Sequence, residues 1–320
     1  IGGRQGGAKA MSYERALLEE ARQTEDPQER ATAWVNVGQY YEGREDRDQA
    51  AAAYEEALKL RGDLIEAAAP LADIYVSVEN WDRGEQMLDI VTAGLSHRYA
   101  QVPDDPELAR ELCRRQYRLG YVSEKNGRSD KALAAYERAY QLDATYLPVL
   151  EGYGNLLVKA RRYEEAGRVY QSILVHHRGD LTDLEVAEIY WTLGDIHLHL
   201  KQFDRAQNHF EKALQIDPSH EPSLRSMVTI NEQAGRFDKA VEFRQSLVEV
   251  LDGEAKFEAG VALGALARDK LSDPYIAIDG YLAAHRARFL TGGVAAAADP
   301  FDRAQGGLHP DHVGGRVERE

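Results

Sequence analysis

The chain has 320 residues, of which 43% are hydrophobic and 29% charged, and its formal net charge is −15. An acidic surface of this size disfavours DNA, RNA and anionic membranes as partners. A single cysteine, Cys113, excludes an intrachain disulfide and makes a thiolate metal site improbable, and no apolar run approaches the roughly 20 residues that a membrane-spanning helix needs.

The N-terminal region divides into two parts. Residues 1–9 have no apolar periodicity, so we expect them to be disordered. From Met11 onward the pattern turns helical, with Tyr13 and Leu17 on one face. The stretch 10–30 is typical of a second helix whose partner helix is missing. It serves either as an N-terminal cap or as the first piece of an array that starts in the middle of a unit.

A repeated pattern follows and is clearest between residues 147 and 180. Small residues, Gly154 and Ala166, stand at positions 8 and 20 of a 34-residue unit. Large apolar residues occupy positions 4, 7, 11, 24 and 27, and these are Leu150, Tyr153, Leu157, Tyr170 and Ile173. Related spacing covers about 31–64, 65–98, 113–146, 147–180, 187–220, 221–254 and 257–291.

This pattern resembles the tetratricopeptide-repeat (TPR) family. The resemblance implies an all-α fold, a right-handed α–α superhelical solenoid of helix hairpins that extends over residues 10–291. One hairpin cannot bury its own apolar face, so neighbouring hairpins must stack on it. Within the clearest unit, we expect Gly154 and Ala166 to form the close contact between the two helices.

Several helix starts carry capping signals. Asp26-Pro27 and Asp105-Pro106 each combine an N-cap carboxylate with a first-turn proline, and the second predicts an extended helix from about 105 to 126. Thr182 and Glu185 have capping-box spacing within six inserted residues, 181–186. Pro70 falls inside a predicted first helix, so that helix should either kink or begin late.

From Gly292 the periodicity stops. The stretch 292–320 is rich in Gly and Ala and is predicted to be a disordered, low-complexity tail. It is either a linker to another domain or a spurious end that results from truncation or a frame error.

Motifs that carry chemistry are missing from the sequence. There is no P-loop, no Gly-x-Gly-x-x-Gly, no Gly-x-Ser-x-Gly and no His-Glu-x-x-His. His197 and His199 are two residues apart and face different sides of a helix, so they cannot hold one metal together. We therefore predict a non-enzymatic protein without a catalytic residue, metal or cofactor.

The resemblance also suggests where a partner binds. In TPR proteins the first helices line a concave groove, and positions 2, 5, 9, 12 and 13 point into it. The residues transferred by position to a candidate partner-binding set are Arg114, Tyr117, Tyr121, Lys125, Asn155, Lys159, Trp191, Asp195 and Arg225. Aromatic residues at such positions are not needed for the repeat's own packing, which favours a peptide-binding stripe. The alternative is that adjacent repeats cover these aromatic side chains.

The predicted function is a scaffold that binds a peptide or a partner helix in the concave groove. Aromatic groups would bury the partner's apolar side chains, Asn155 would bond its backbone, and the basic groups would meet its acidic residues. One alternative is a TPR adaptor region of a larger enzyme or signalling protein with catalysis elsewhere, and another is self-assembly. Residue usage suggests a bacterial protein, for which we expect a cytoplasmic location.

Overall fold

The structure is a computed structural model that describes the backbone of residues 2–291 and the side chains of residues 13–289. Fifteen α-helices and no β-strand make up this part of the chain. The helices are α1 (Gly2–Gln23), α2 (Pro27–Glu42), α3 (Arg47–Leu60), α4 (Ile65–Ser77), α5 (Trp81–Gln101), α6 (Pro106–Lys125), α7 (Ser129–Leu142), α8 (Leu147–Lys159), α9 (Tyr163–His177), α10 (Asp183–His199), α11 (Phe203–Ile216), α12 (Glu221–Gln233), α13 (Phe237–Val250), α14 (Gly253–Leu266) and α15 (Pro274–Thr291). The predicted disordered tail, 292–320, lies outside the described residues.

From α2 onward the helices form consecutive hairpins, α2 with α3 through to α14 with α15. Helices α3, α5, α7 and α9 each pack in addition on the first helix of the following hairpin. This nearest-neighbour stacking buries the apolar faces that a lone hairpin would leave exposed. The predicted all-α solenoid of helix hairpins is therefore confirmed.

The chain divides into two compact units, one ending at Ile216 and the other beginning at Asp217. Unit 1 contains α1–α11 and unit 2 contains α12–α15. The boundary lies close to the predicted end of the fifth repeat, 187–220. In the described part of the chain, no helix is long and apolar enough to cross a membrane.

The predicted helix starts are confirmed. Asp26 accepts hydrogen bonds from the backbone N–H groups of the first turn of α2, and Asp105 does the same for α6. Thr182 and Glu185 form the reciprocal capping box of α10, with the Thr182 N–H donating to the Glu185 carboxylate at 2.8 Å. These ends were predictable because a cap depends on residues within four positions of each other.

The helix bounds bear on two local predictions. The structure includes residues 2–9, for which the sequence predicts disorder, in α1. The helix with Pro70 does not begin late, because α4 starts at Ile65 and Pro70 lies inside it, which leaves a kink as the other predicted alternative.

The close contact inside the hairpin of α8 and α9 differs from the one predicted. The atoms nearest to the position of a Cβ on Gly154 belong to Tyr170 and Val169, at 3.2 and 3.3 Å, and not to Ala166. Position 8 of the repeat is small because the aromatic ring at position 24 lies against it. The preceding repeat is built in the same way, because a Cβ on Gly120 would lie 2.7 Å from the ring of Tyr136.

Unit 2 closes with a tight crossing of α14 and α15. A Cβ on Gly260 would lie 2.7 Å from the carbonyl oxygen of Gly280, so two glycines let the helix backbones touch. A π-helical turn, Ala267–Leu271, joins the two helices, and Ser272 after it is left-handed with φ of 55°. The last repeat, 257–291, has one residue more than the 34-residue unit, and the π-helical turn lies between its two helices.

Candidate partner-binding face on the first helices of unit 1

The α6 candidates share one helix face. Arg114, Tyr117, Tyr121 and Lys125 are spaced by three or four residues, which brings their side chains into one row. Arg114, Tyr121 and Lys125 are exposed, whereas Tyr117 is half-buried.

Tyr117 is a packing residue inside its own repeat, 113–146. Its ring lies 6.0 Å from the ring of Tyr136 on α7 and 6.2 Å from that of Tyr146, which precedes α8. Burial raises the pKa of the Tyr117 hydroxyl. The prediction that aromatic residues at groove positions are not needed for the repeat's own packing is wrong for Tyr117, because two aromatic rings of the same repeat lie against it.

Tyr121 is more accessible, with 39% of its surface exposed. The Lys125 ammonium lies 5.3 Å from the centre of its ring, and the Trp81 ring meets it edge-on at 6.2 Å. An exposed ring that already carries a cation can cover an apolar partner side chain and present a positive charge beside it.

The α8 candidates are engaged with neighbouring helices. The Tyr170 hydroxyl donates to Asn155 Oδ1 at 2.7 Å, so the amide NH₂ is the group that Asn155 offers for donation. Lys159 Nζ lies 2.7 Å from Glu124 Oε1 on α6, an exposed ion pair that joins consecutive first helices. The Lys159 charge is thus offset within unit 1.

The α10 candidates lie further along the same set of first helices. Trp191 is half-buried. Asp195 lies 3.6 Å from Nε2 of His199, and the His199 ring stacks on Tyr163 at 4.4 Å. These contacts hold the C-terminal end of α10 against the start of α9.

Arg225 belongs to a different unit from the other eight candidates. It lies on α12 of unit 2, where its Nε is 2.7 Å from Glu221 Oε1. The eight unit 1 residues are described here as the first-helix face, formed by α6, α8 and α10.

A depression on the first-helix face lies between α8 and α10. It has a volume of about 520 Å³. Its walls combine apolar and acidic side chains, namely Glu151, Asn155, Tyr170, Ile173, Leu181, Leu184, Glu185, Glu188, Ile189 and Thr192. Leu184, in the first turn of α10, is 63% exposed. Of the predicted set, only Asn155 lines this α8–α10 cleft.

The α8–α10 cleft has a negative potential. Burial, together with the nearby carboxylates of Glu188 and Glu151, raises the pKa of Tyr170 to about 12. Partial burial by the cleft walls raises the pKa of Glu151, and the charge of Glu185 adds to this shift. A cationic group placed in the cleft would relieve this repulsion between carboxylates.

Position-by-position transfer of the repeat pattern missed the apolar part of the cleft. Leu181 and Leu184 lie within the six residues that interrupt the pattern, so they have no repeat position. The available signal was two leucines within the insertion, beside the capping-box residues Thr182 and Glu185. Within the described side chains, no group of three or more His, Cys, Asp or Glu residues is arranged to hold a metal ion.

Comparison with known proteins identifies the repeats. The family model for the tetratricopeptide repeat matches residues 145–219, and a second model of the same description matches residues 31–64 and 114–146. No curated protein matches the chain.

Several solved structures are similar to the chain. YrrB, a TPR protein with an unusual peptide-binding site, is 19% identical, with 61% of this chain and 91% of YrrB covered and a TM-score of 0.46. MamA is 19% identical over 59% of this chain and 92% of its own, with a TM-score of 0.44. PilF of Pseudomonas aeruginosa is 18% identical over 82% and 93%, with a TM-score of 0.39.

The stretches that the family models match coincide with helix hairpins. The match at 31–64 covers most of α2 and all of α3, that at 114–146 most of α6 and all of α7, and that at 145–219 covers α8 to α11. Each hairpin places a small residue of its first helix against position 24 of its second. The chain contains tetratricopeptide repeats over residues 31–64 and 114–219, and repeats of this kind point to a protein–protein interaction scaffold.

Proposed function

We propose that the first-helix face of unit 1 binds a peptide or a partner helix, and that the α8–α10 cleft receives a basic side chain flanked by apolar ones. The observation that carries this proposal is the exposed Leu184 beside the carboxylates of Glu151 and Glu188. Exposed apolar surface with converging polar groups is the usual composition of a recognition site.

Each part of the cleft has a role in the proposal. Leu181 and Leu184 remove apolar partner surface from water, which supplies most of the affinity. Glu151 and Glu188 bind the partner's ammonium or guanidinium group and select against acidic segments. The NH₂ group of Asn155 donates to a backbone carbonyl of the partner and thereby fixes its register.

The α6 part of the face extends the same site. Tyr121 and Lys125 would cover a second apolar side chain and meet an acidic group further along the partner. A partner segment with acidic and basic residues separated along its length therefore fits the face better than a uniformly charged one. The scaffold acts by binding alone, without a chemical step.

The test is selection of short random peptides displayed on phage against the full chain. We expect the selected peptides to share a Lys or Arg next to large apolar residues. Leu184→Asp and Glu151→Gln should each weaken binding of a selected peptide by about tenfold or more, which corresponds to about 1.4 kcal/mol. Added salt should also weaken it, because part of the attraction is electrostatic.

Two control variants share the hairpins but not the cleft. Val175 on α9 is 75% exposed, and Glu164 begins the same helix, so Val175→Asp and Glu164→Gln match the two test changes in chemistry. Both controls should retain the affinity of the wild type. Enrichment of acidic peptides, or equal losses in test and control variants, would contradict the proposal.

A further inference from the structure

Helix α15 in unit 2 has an apolar stripe that no described residue covers. Tyr275, Ile278, Leu282 and Phe289 are between 45% and 81% exposed. The opposite face of the helix, with Ala277, Gly280, Ala284 and Ala287, is buried, in large part against α14. The helix is therefore apolar on two sides, and only one of them is used by unit 2.

The stripe is symmetrical about its centre. Tyr275 and Phe289 lie seven residues before and after Leu282, and at 100° per residue all three fall within about 20° of one line. Ile278 and His285 flank this line on one edge. Asp279 and Arg286 flank it on the other edge, and both are exposed.

Asp279 and Arg286 cannot pair with each other within one helix. Seven residues separate them, which corresponds to about 10 Å along the helix axis. Asp279 and Arg286 lie on one edge of the stripe, at nearly equal distances before and after Leu282. If a second α15 runs antiparallel to the first with the two Leu282 residues in contact, each Asp279 lies opposite an Arg286.

We propose that α15 packs antiparallel against α15 of a second copy of this chain, about a two-fold axis that passes through the contact at Leu282. In this arrangement the two Leu282 side chains meet, and Tyr275 lies opposite Phe289 of the other copy. Each Asp279 lies opposite an Arg286, so the ion pair forms twice. The interface is isologous, as closed dimers require.

The antiparallel orientation is the one that the charges favour. A parallel pair would place Asp279 beside Ile278 and Arg286 beside His285, which leaves both charges without an opposite partner. Antiparallel helices also align their macrodipoles favourably. The symmetry of the stripe about Leu282 favours a second copy of the chain over an unrelated partner, because a two-fold axis repeats the same residues in reverse order.

The expected dimer is weak. A single helix stripe buries less surface than the roughly 1,200–2,000 Å² of a standard interface. We expect a dissociation constant in the micromolar range, so the chain should be a monomer when dilute and a dimer when concentrated. This inference concerns unit 2 and does not depend on the α8–α10 cleft of unit 1.

The test is sedimentation equilibrium of the full chain over a range of concentrations. Asp279→Arg and Arg286→Asp should each raise the dissociation constant by about tenfold or more, since each places like charges opposite each other twice. The double variant should restore the wild-type value. Glu249→Arg, an equal charge reversal at an exposed position on α13, should leave the dissociation constant unchanged.

Cysteine cross-linking tests the orientation. The native Cys113 is buried, so Leu282→Cys would introduce a thiol on the proposed axis that forms a covalent dimer upon oxidation. Tyr275→Cys and Phe289→Cys should cross-link when mixed but not alone. Circular dichroism should show equal helix content for all variants.

Three results would overturn the proposal. One is a full chain that stays monomeric at every concentration. This result overturns the proposal even if a chain shortened to end at Thr291 dimerises, because α15 of the full chain would then not be available to a second copy. Another is a dimer whose dissociation constant is unchanged by both Asp279→Arg and Arg286→Asp, because the contact would then lie on another surface. The third is self-cross-linking of Tyr275→Cys alone, which indicates parallel helices.

Discussion

At the residue scale, a small residue at position 8 of the repeat makes room for a large side chain at position 24. Where position 8 is glycine, as in Gly194, position 24 is an aromatic ring such as Phe210. Where position 8 is larger, as in Ala72, position 24 is the smaller Leu88, and both of these are fully buried. The ring needs the space that a missing Cβ leaves, so the two positions are matched in size in these repeats. The repeat at 221–254, with Val228 and Arg244 at the two positions, departs from this pairing.

Gly194→Ala tests this pairing. Its Cβ would lie closer to the Phe210 ring than real Cβ atoms approach, and the fully buried ring has no room to move. We expect a loss of about 1–2 kcal/mol in the free energy of unfolding, because overpacking outweighs the gain in helix propensity. Urea denaturation followed by circular dichroism measures it.

Gly167→Ala is the matched control. Its Cβ would contact only the Ile196 side chain, at an ordinary 3.7 Å. Alanine should therefore stabilise α9 by about 0.5–1 kcal/mol through its higher helix propensity. If both substitutions stabilise the protein, the packing role assigned to the glycine at position 8 is wrong.

At the element scale, consecutive hairpins are joined by a buried carboxylate. Glu85 on α5 is fully buried and accepts hydrogen bonds from Ser123 and Asn126 at the end of α6, at 2.8 and 2.6 Å. Arg128 and Lys131 bind it at 2.6 and 2.9 Å. This cluster connects α5 to the turn between α6 and α7.

Glu85→Gln should destabilise unit 1 by about 2–3 kcal/mol. The amide keeps the shape of the side chain but leaves two cations without their buried counter-charge, although their partial exposure limits the cost. Thermal or urea unfolding measures the loss. Glu56→Gln, which removes an exposed pair with Lys59, should cost less than about 0.5 kcal/mol. Equal effects of the two changes would argue against a connecting role for Glu85.

At the scale of the whole molecule, the sequence predicts those features that depend on residues close together in the chain. Caps such as Asp105 and Thr182 and the identity of the helices followed from short-range pattern. The partial burial of Tyr117 did not, because it depends on the packing that brings the rings of Tyr136 and Tyr146 against it. The cleft did not either, because Leu184 lies in an insertion without a repeat position.

Acid stability combines contributions from histidines in opposite environments. His209 stacks on His197 with ring centres 5.0 Å apart, and its buried Nδ1 has no hydrogen-bond partner among the described residues. Burial, together with the charges of His197, Lys212 and Arg205, lowers the pKa of His209 to about 4. The carbonyl oxygen of Thr145 and the carboxylate of Asp180 instead raise the pKa of His177.

These shifts predict the sign of the pH dependence. Between about pH 6.5 and 4 the unfolded chain protonates His209 whereas the folded chain does not, so the free energy of unfolding falls as the pH is lowered through this range. His177 acts oppositely: its contribution is complete below pH 6.5 and is lost as the pH rises through its raised pKa. We expect the His209 effect, at most about 3 kcal/mol, to dominate because His177 is the more accessible group.

Urea unfolding at pH 7 and pH 4.5 tests the balance. The wild type should lose stability between these values, and His209→Phe, which keeps a planar ring against His197, should lose markedly less. His176→Phe alters an exposed histidine on α9 and should reproduce the wild-type dependence. A His209→Phe variant with the same dependence as the wild type would assign the acid sensitivity to another group, such as His197, whose pKa is also lowered by burial. Carboxylates such as Glu85 act at lower pH, because the ion pair with Lys131 and the hydrogen bonds from Ser123 and Asn126 lower the pKa of Glu85 despite its burial.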